Sequence, residues 1–196
     1  ASGNWIWRSN CTFAAPGGTY TLVATASAVG TVSLLAGTLA MSSFALDIGG
    51  SGTFDSSIGT VPRVLDLGSG MLAANLTIAL GTVASGFTIT GTGTLRHSST
   101  GARNATFGGQ TIPNFTSAPY ASSTSTFQDA LTVAGTLSAT GGINTNGKAV
   151  TCGSFISPGT LTRTHTFGTS AITVNGDLVF SGTGLTLTPG TSTVTV

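Results

Sequence analysis

Apolar and polar residues alternate along most of this chain in short runs, broken by Gly, Ser, Asn and Pro. Leu131-Thr132-Val133, Val150-Thr151-Cys152, Ile172-Thr173-Val174 and Val194-Thr195-Val196 each hold a Thr between two apolar residues. A period of two sends the apolar pair to one side of a strand and the Thr to the other. The Val, Ile and Thr content suits strands, and no comparable amphipathic helical pattern competes with it.

These runs also repeat. From Leu131 to Val150 is 19 residues, and the next two steps, to Ile172 and to Val194, are 22 each. Gly168-Thr169-Ser170-Ala171-Ile172-Thr173-Val174 returns almost unchanged as Gly190 to Val196. Strands this short cannot bury an apolar side alone, but coils stacked about 4.8 Å apart align like residues into columns around a shared core. The expected fold is all-β, a β-solenoid resembling a parallel β-helix, with coils of about 19–22 residues. Leu131, Val150, Ile172 and Val194 would form one inward column, and Val133, Cys152, Val174 and Val196 a second. Thr132, Thr151, Thr173 and Thr195 would stack outside. Leu46-Asp47-Ile48 and Leu65-Asp66-Leu67, 19 apart, echo the pattern and would put Asp47 and Asp66 one coil apart. An antiparallel β-sandwich is the alternative, but it explains strand spacing without explaining repeated residue identity.

The expected organisation is an irregular cap or attachment segment at 1–18, a β-repeat region at 19–95, an insertion loop at 96–126, and regular repeats at 127–196. The insertion expectation rests on two Arg, His97, two Pro and much Ser and Thr. Trp5, Trp7 and Arg8 of the opening segment are candidates for capping or attachment. The chain opens without Met and stops inside a repeat, so it is expected to be a piece of a longer protein.

Composition sharpens the picture. Charged residues are 6% of the chain, against about 25% in ordinary domains, and Glu is absent. A net charge of +1 supplies no field for nucleic acid or anionic lipid. The apolar runs are too short and too rich in Gly and Thr for a membrane span. Cys152 occupies a Val column and reads as a core thiol, with Cys11 structural. His97 and His165 lack metal-ligand spacing and read as exposed surface residues, so no metal or cofactor is expected. Four Asn-x-Ser/Thr sequons, at Asn10, Asn75, Asn104 and Asn114, matter only in a secretory pathway. Stacked, Asp47 and Asp66 would have the spacing of a retaining glycosidase pair, yet no aromatic groove accompanies them.

"FSGTGLTLTPGTSTVTV", with "ALTVAGTLSATGGI" before it, resembles the β-strand repeats of virion appendage proteins of tailed bacteriophages and of similar bacterial surface adhesins. The resemblance covers about 130–196 well and 34–95 loosely. It implies an extracellular β-repeat scaffold and carries over no functional residue.

The expected function is therefore a non-enzymatic fibre, spike or decoration module on a virion or extracellular surface. Homo-oligomers, such as a trimer, or other virion proteins are the expected partners. The alternative is a carbohydrate-binding adhesin module, with Arg96, His97, Arg103 and Tyr120 contacting a host-surface glycan. Below these stand a polysaccharide-cleaving β-helix using Asp47 and Asp66, and an ice-binding Thr face. Asp47 and Asp66 in the Thr column, and the drifting coil length, count against the last.

Overall fold

A computed structural model describes residues 5–98, 101–117 and 123–196, and these form an all-β, parallel β-solenoid of about eight turns with coils of about 22 residues. One coil shows the path. Met71–Ala74 lies on a first face, Thr77–Ala79 on a second and Phe87–Thr90 on a third, before Thr94–His97 returns to the first. Each strand pairs in parallel with its equivalents one coil before and after: Leu72, for example, lies between Leu46 and Leu95. The antiparallel sandwich is excluded by that parallel register.

Four longer strands, Ala26–Leu34, Ala45–Asp55, Leu131–Ala139 and Val150–Ser157, run through a corner and pair on two faces. The register slips where they bend, between Val29 and Thr31 and between Val133 and Thr136. The bends demand close backbone approach. A Cβ on Gly30 would meet the Asn10 side-chain oxygen at 2.6 Å, and one on Gly135 would meet that of Asn114 at 2.5 Å. Those two Asn side chains accept from the backbone N–H of Thr31 (2.9 Å) and Thr136 (3.0 Å), so both sequon Asn residues serve corners.

The core is built of columns. Leu46, Leu72, Leu95, Phe115, Leu137 and Phe155 follow one another on the first face, each at most 1% exposed. Leu131, Val150 and Ile172 stack on the third, as do Val133, Cys152 and Val174, while Thr132, Thr151 and Thr173 face out. Phe115 also sits edge-on to Phe107 (5.3 Å) and Phe127 (6.0 Å).

Several expectations are corrected. Residues 96–126, expected as an insertion, contribute coil strands in register: Ala102–Thr106 pairs with Thr77–Ala79 above and Thr124–Phe127 below. Polar residues at inward positions, His97, Ser117 and Ser125, had masked the alternation. The opening segment likewise supplies strands Trp5–Trp7 and Cys11–Phe13, both paired to Ala26–Leu34. Asp47 and Asp66 are not stacked. Asp47 lies on the first face between Ser27 and Ala73, and Asp66 on the third between Ala40 and Thr90. Their 19-residue separation falls within one coil, because the step from Leu46 to Leu72 is 26 residues.

Phe115→Ala is expected to cost about 3–5 kcal/mol, read as a lower denaturant midpoint. Thr132→Ala, at an exposed position in the neighbouring coil, should stay within about 0.5 kcal/mol.

Candidate functional site

The residues with chemistry to offer are largely inside. His97 and His165, expected on the surface, are 1% and 0% exposed, because both fall at inward positions of strands Thr94–His97 and Arg163–Thr166. Arg63 and Arg163 are buried as well, at 0% and 3%.

Two polar clusters occupy the corner between the first and second faces. In the upper one, His97 Nδ1 lies 2.9 Å from Ser125 Oγ, which is 2.9 Å from Ser117 Oγ, which in turn reaches the Gly142 carbonyl at 3.0 Å. His97 Nε2 faces the Leu76 carbonyl at 3.4 Å. In the lower one, Ser157 Oγ is 2.7 Å from His165 Nε2 and accepts from Arg163 Nε at 2.9 Å. Arg163 also donates to the carbonyls of Ser157, Gly159, Leu161, Ser181 and Thr183. The arginine thus closes the 158–162 corner by satisfying oxygens that the bend leaves without partners.

Arg63 does the same between the second and third faces. It donates to the carbonyls of Ser56, Val61 and Ser85, and its guanidinium lies 5.5 Å from the centre of the Phe87 ring. Among the described residues neither arginine forms a salt bridge, although the Asp55 carboxylate favours the charge of Arg63 from a distance; carbonyl oxygens solvate both guanidinium groups. The signal was present in the sequence as Ser56 followed seven residues later by Arg63, and Ser157 followed six later by Arg163, each across a Gly- and Pro-containing bend.

The Ser157–His165 pair has the separation of a nucleophile and its base, but its setting is structural. His165 Nδ1 has no hydrogen-bond partner to orient the ring, and the ring is packed with Phe155, Phe167 and Phe180 at 6.0–6.3 Å. Arg163 occupies the serine oxygen. The pair is a corner staple.

The remaining candidates do not converge. Arg96 is half-buried on the outside of the first face with its Nε unpartnered, whereas His97, next to it, points inward. Arg103 is exposed and donates to the adjacent Ala102 carbonyl at 3.0 Å. Tyr120 lies outside the described residues. Trp5 is 58% exposed, Trp7 is half-buried edge-on to Phe13 at 5.9 Å, and Arg8 is exposed. With Phe13, Tyr20, Leu22 and Leu39, the tryptophans line a cavity of about 230 Å³ in the first coils. Cys11 and Cys152 are free thiols, and burial raises that of Cys152 to about 11. Among the described residues no three His, Cys, Asp or Glu side chains gather as a metal site.

No family model, curated protein or solved structure matches this chain.

Two predictions follow from the buried cations and imidazoles. Arg63→Met and Arg163→Met should each destabilise by about 3 kcal/mol or more, since each leaves several buried carbonyls unsatisfied; exposed Arg103→Met should change the urea midpoint little.

Burial chiefly holds His97 and His165 at about 4, below the ordinary 6.5, with Arg103 and Arg163 respectively adding repulsion. The unfolded chain then binds protons before the folded one as pH falls. Stability is fully present above about pH 6.5 and declines toward pH 4, by roughly 3 kcal/mol per histidine. Urea midpoints measured across that range should show the decline, and replacing both histidines with Gln should flatten it.

Proposed function

We propose that the chain is a non-enzymatic structural module, a stiff solenoid rod serving as a fibre, spike or decoration element of a virion or another extracellular assembly. The observation that carries the reading is the use made of the reactive residues. Ser157, His165, Arg163, His97 and Arg63 are all consumed inside in holding corners. What remains outside is a set of paired strands rich in Thr, Ser and Asn.

The physical properties fit. About eight turns at about 4.8 Å give a rod of about 40 Å, whose length scales with coil number. Each internal coil contacts only its neighbours, so stiffness comes from backbone pairing along the axis. A low-charge surface suits assembly with like copies or with symmetric partners. The polysaccharide-cleaving alternative loses its basis, because Asp47 and Asp66 lie on different faces.

Immunogold labelling of purified particles and cell-surface filaments, with mass-spectrometric stoichiometry, tests the reading. Label at a fixed copy number per particle is expected. A chain recovered only as free soluble protein, or one that releases oligosaccharides from a polysaccharide panel, would defeat it.

A further inference from the structure

The second face carries a feature that the repeat alone did not reveal. Thr31, Thr53 and Thr77 stack on its outer side over three successive coils. Asn104, just before the Ile78–Ala105 pair, continues the column, followed by Thr126, Asn144, Thr166 and Thr188. Eight coils in succession therefore present Thr or Asn at one register position. Two residues earlier on the strands, Thr164 and Thr186 stack in adjacent coils, and Thr124 holds the same position beyond Gly142.

Both arguments against an ice-binding face fail here. Asp47 and Asp66 belong to the first and third faces. Coil length does vary, from 18 residues between Leu137 and Phe155 to 27 between Ile78 and Ala105, but the variation is taken up in the corners and the strand register continues past it. Among the described residues, none of the Thr hydroxyls in the eight-coil column is hydrogen-bonded within the chain. The charged side chains on these strands are Asp55, which accepts from Ser57, Arg103, which donates to Ala102, and Arg163, which is buried.

We propose that this second face binds ice by holding a layer of ordered water in step with its Thr and Asn columns. Tetrahedral water with hydrogen-bonded oxygens about 2.75 Å apart places second-neighbour oxygens about 4.5 Å apart. Coils repeat at about 4.8 Å, within about 0.3 Å of that distance. Each Thr offers a hydroxyl to bond the layer and a methyl to seat against it. Strands paired on both sides cannot rearrange, so the array meets the lattice already ordered. Charged groups would instead orient water radially, and the column contains none.

The test uses the full chain, fluorescently labelled, in ice-shell partition and thermal-hysteresis measurements. The unmodified chain is expected to enter growing ice and to depress the freezing point below the melting point. Thr126→Tyr and Thr166→Tyr, which keep strand propensity, should lose most of both effects with an unchanged melting curve. Thr116→Tyr on the first face and Thr151→Tyr on the third should keep them. Exclusion of the unmodified chain from ice, to the extent of an unrelated soluble protein, would overturn the proposal, as would second-face variants that retain both effects. Neither result bears on particle association, so the scaffold reading stands or falls separately.

Discussion

Everything in this molecule depends on parallel strands pairing in register from one coil to the next. Successive residues of an internal strand turn their N–H and C=O groups to alternate sides, donating to and accepting from the strands one coil before and one coil after, so a residue is always flanked by its equivalents. Position, and not local sequence, then decides environment. Cys152 is buried because Val133 and Val174 lie above and below it, and its thiol is raised by that burial. His165 is buried because it stacks in the same column as Ile143 and Leu187. The stacking rule explains why an imidazole with an unpartnered nitrogen is tolerated: three phenylalanine rings surround it, and a shift outward would break pairing on both sides.

The corners are where this rule has to be reconciled with the chain's covalent path. Three turns per coil leave carbonyls that no strand can satisfy, and burying one without a partner costs about 1–3 kcal/mol. At short corners Asn side chains serve the backbone locally: Asn10 and Asn114 accept from the N–H groups of Thr31 and Thr136, and Asn114 also donates to the carbonyls of Thr92 and Gly93. Longer ones need a group with more reach and more donors. A guanidinium offers five N–H groups in a fixed fork, and Arg63 and Arg163 are spent on the two extended bends at 56–62 and 158–162. A residue that looks like surface charge in sequence is, in these places, what allows a coil to lengthen without losing its register.

The fold was legible wherever inward positions were apolar. The columns through Leu131, Val150 and Ile172 follow from Thr flanked by apolar residues at a recurring interval, and pairing places them so. Legibility failed at 96–126, where His97, Ser117 and Ser125 take inward positions and the alternation reads as polar throughout. It failed again for Asp47 and Asp66, because an interval of 19 matches a coil length elsewhere but spans two faces here. Spacing reveals coil number only where corner lengths are constant. The buried arginines were harder to read for a related reason: most of their partners are backbone carbonyls, so little beyond the Ser-to-Arg spacing across a Gly- and Pro-containing bend marked them.

The scarcity of charge follows from the same stacking. A carboxylate repeated at one position on successive coils would face its copies at about 4.8 Å, a repulsion near 1 kcal/mol in water and about 3–4 kcal/mol at a protein surface. Summed over eight turns, that opposes the fold outright. The structure spaces its acids accordingly: Asp47 is flanked by Ser27 and Ala73, Asp55 by Ser33 and Ala79, and Asp66 by Ala40 and Thr90. Thr and Asn can stack without that repulsion, remain polar and match strand or corner geometry. A charge-poor, Thr-rich surface is thus the composition that tight coil stacking selects, and a long uncharged hydroxyl array is its by-product. The polar contacts such a surface can make are therefore mostly neutral hydrogen bonds, repeated at the spacing that the backbone imposes.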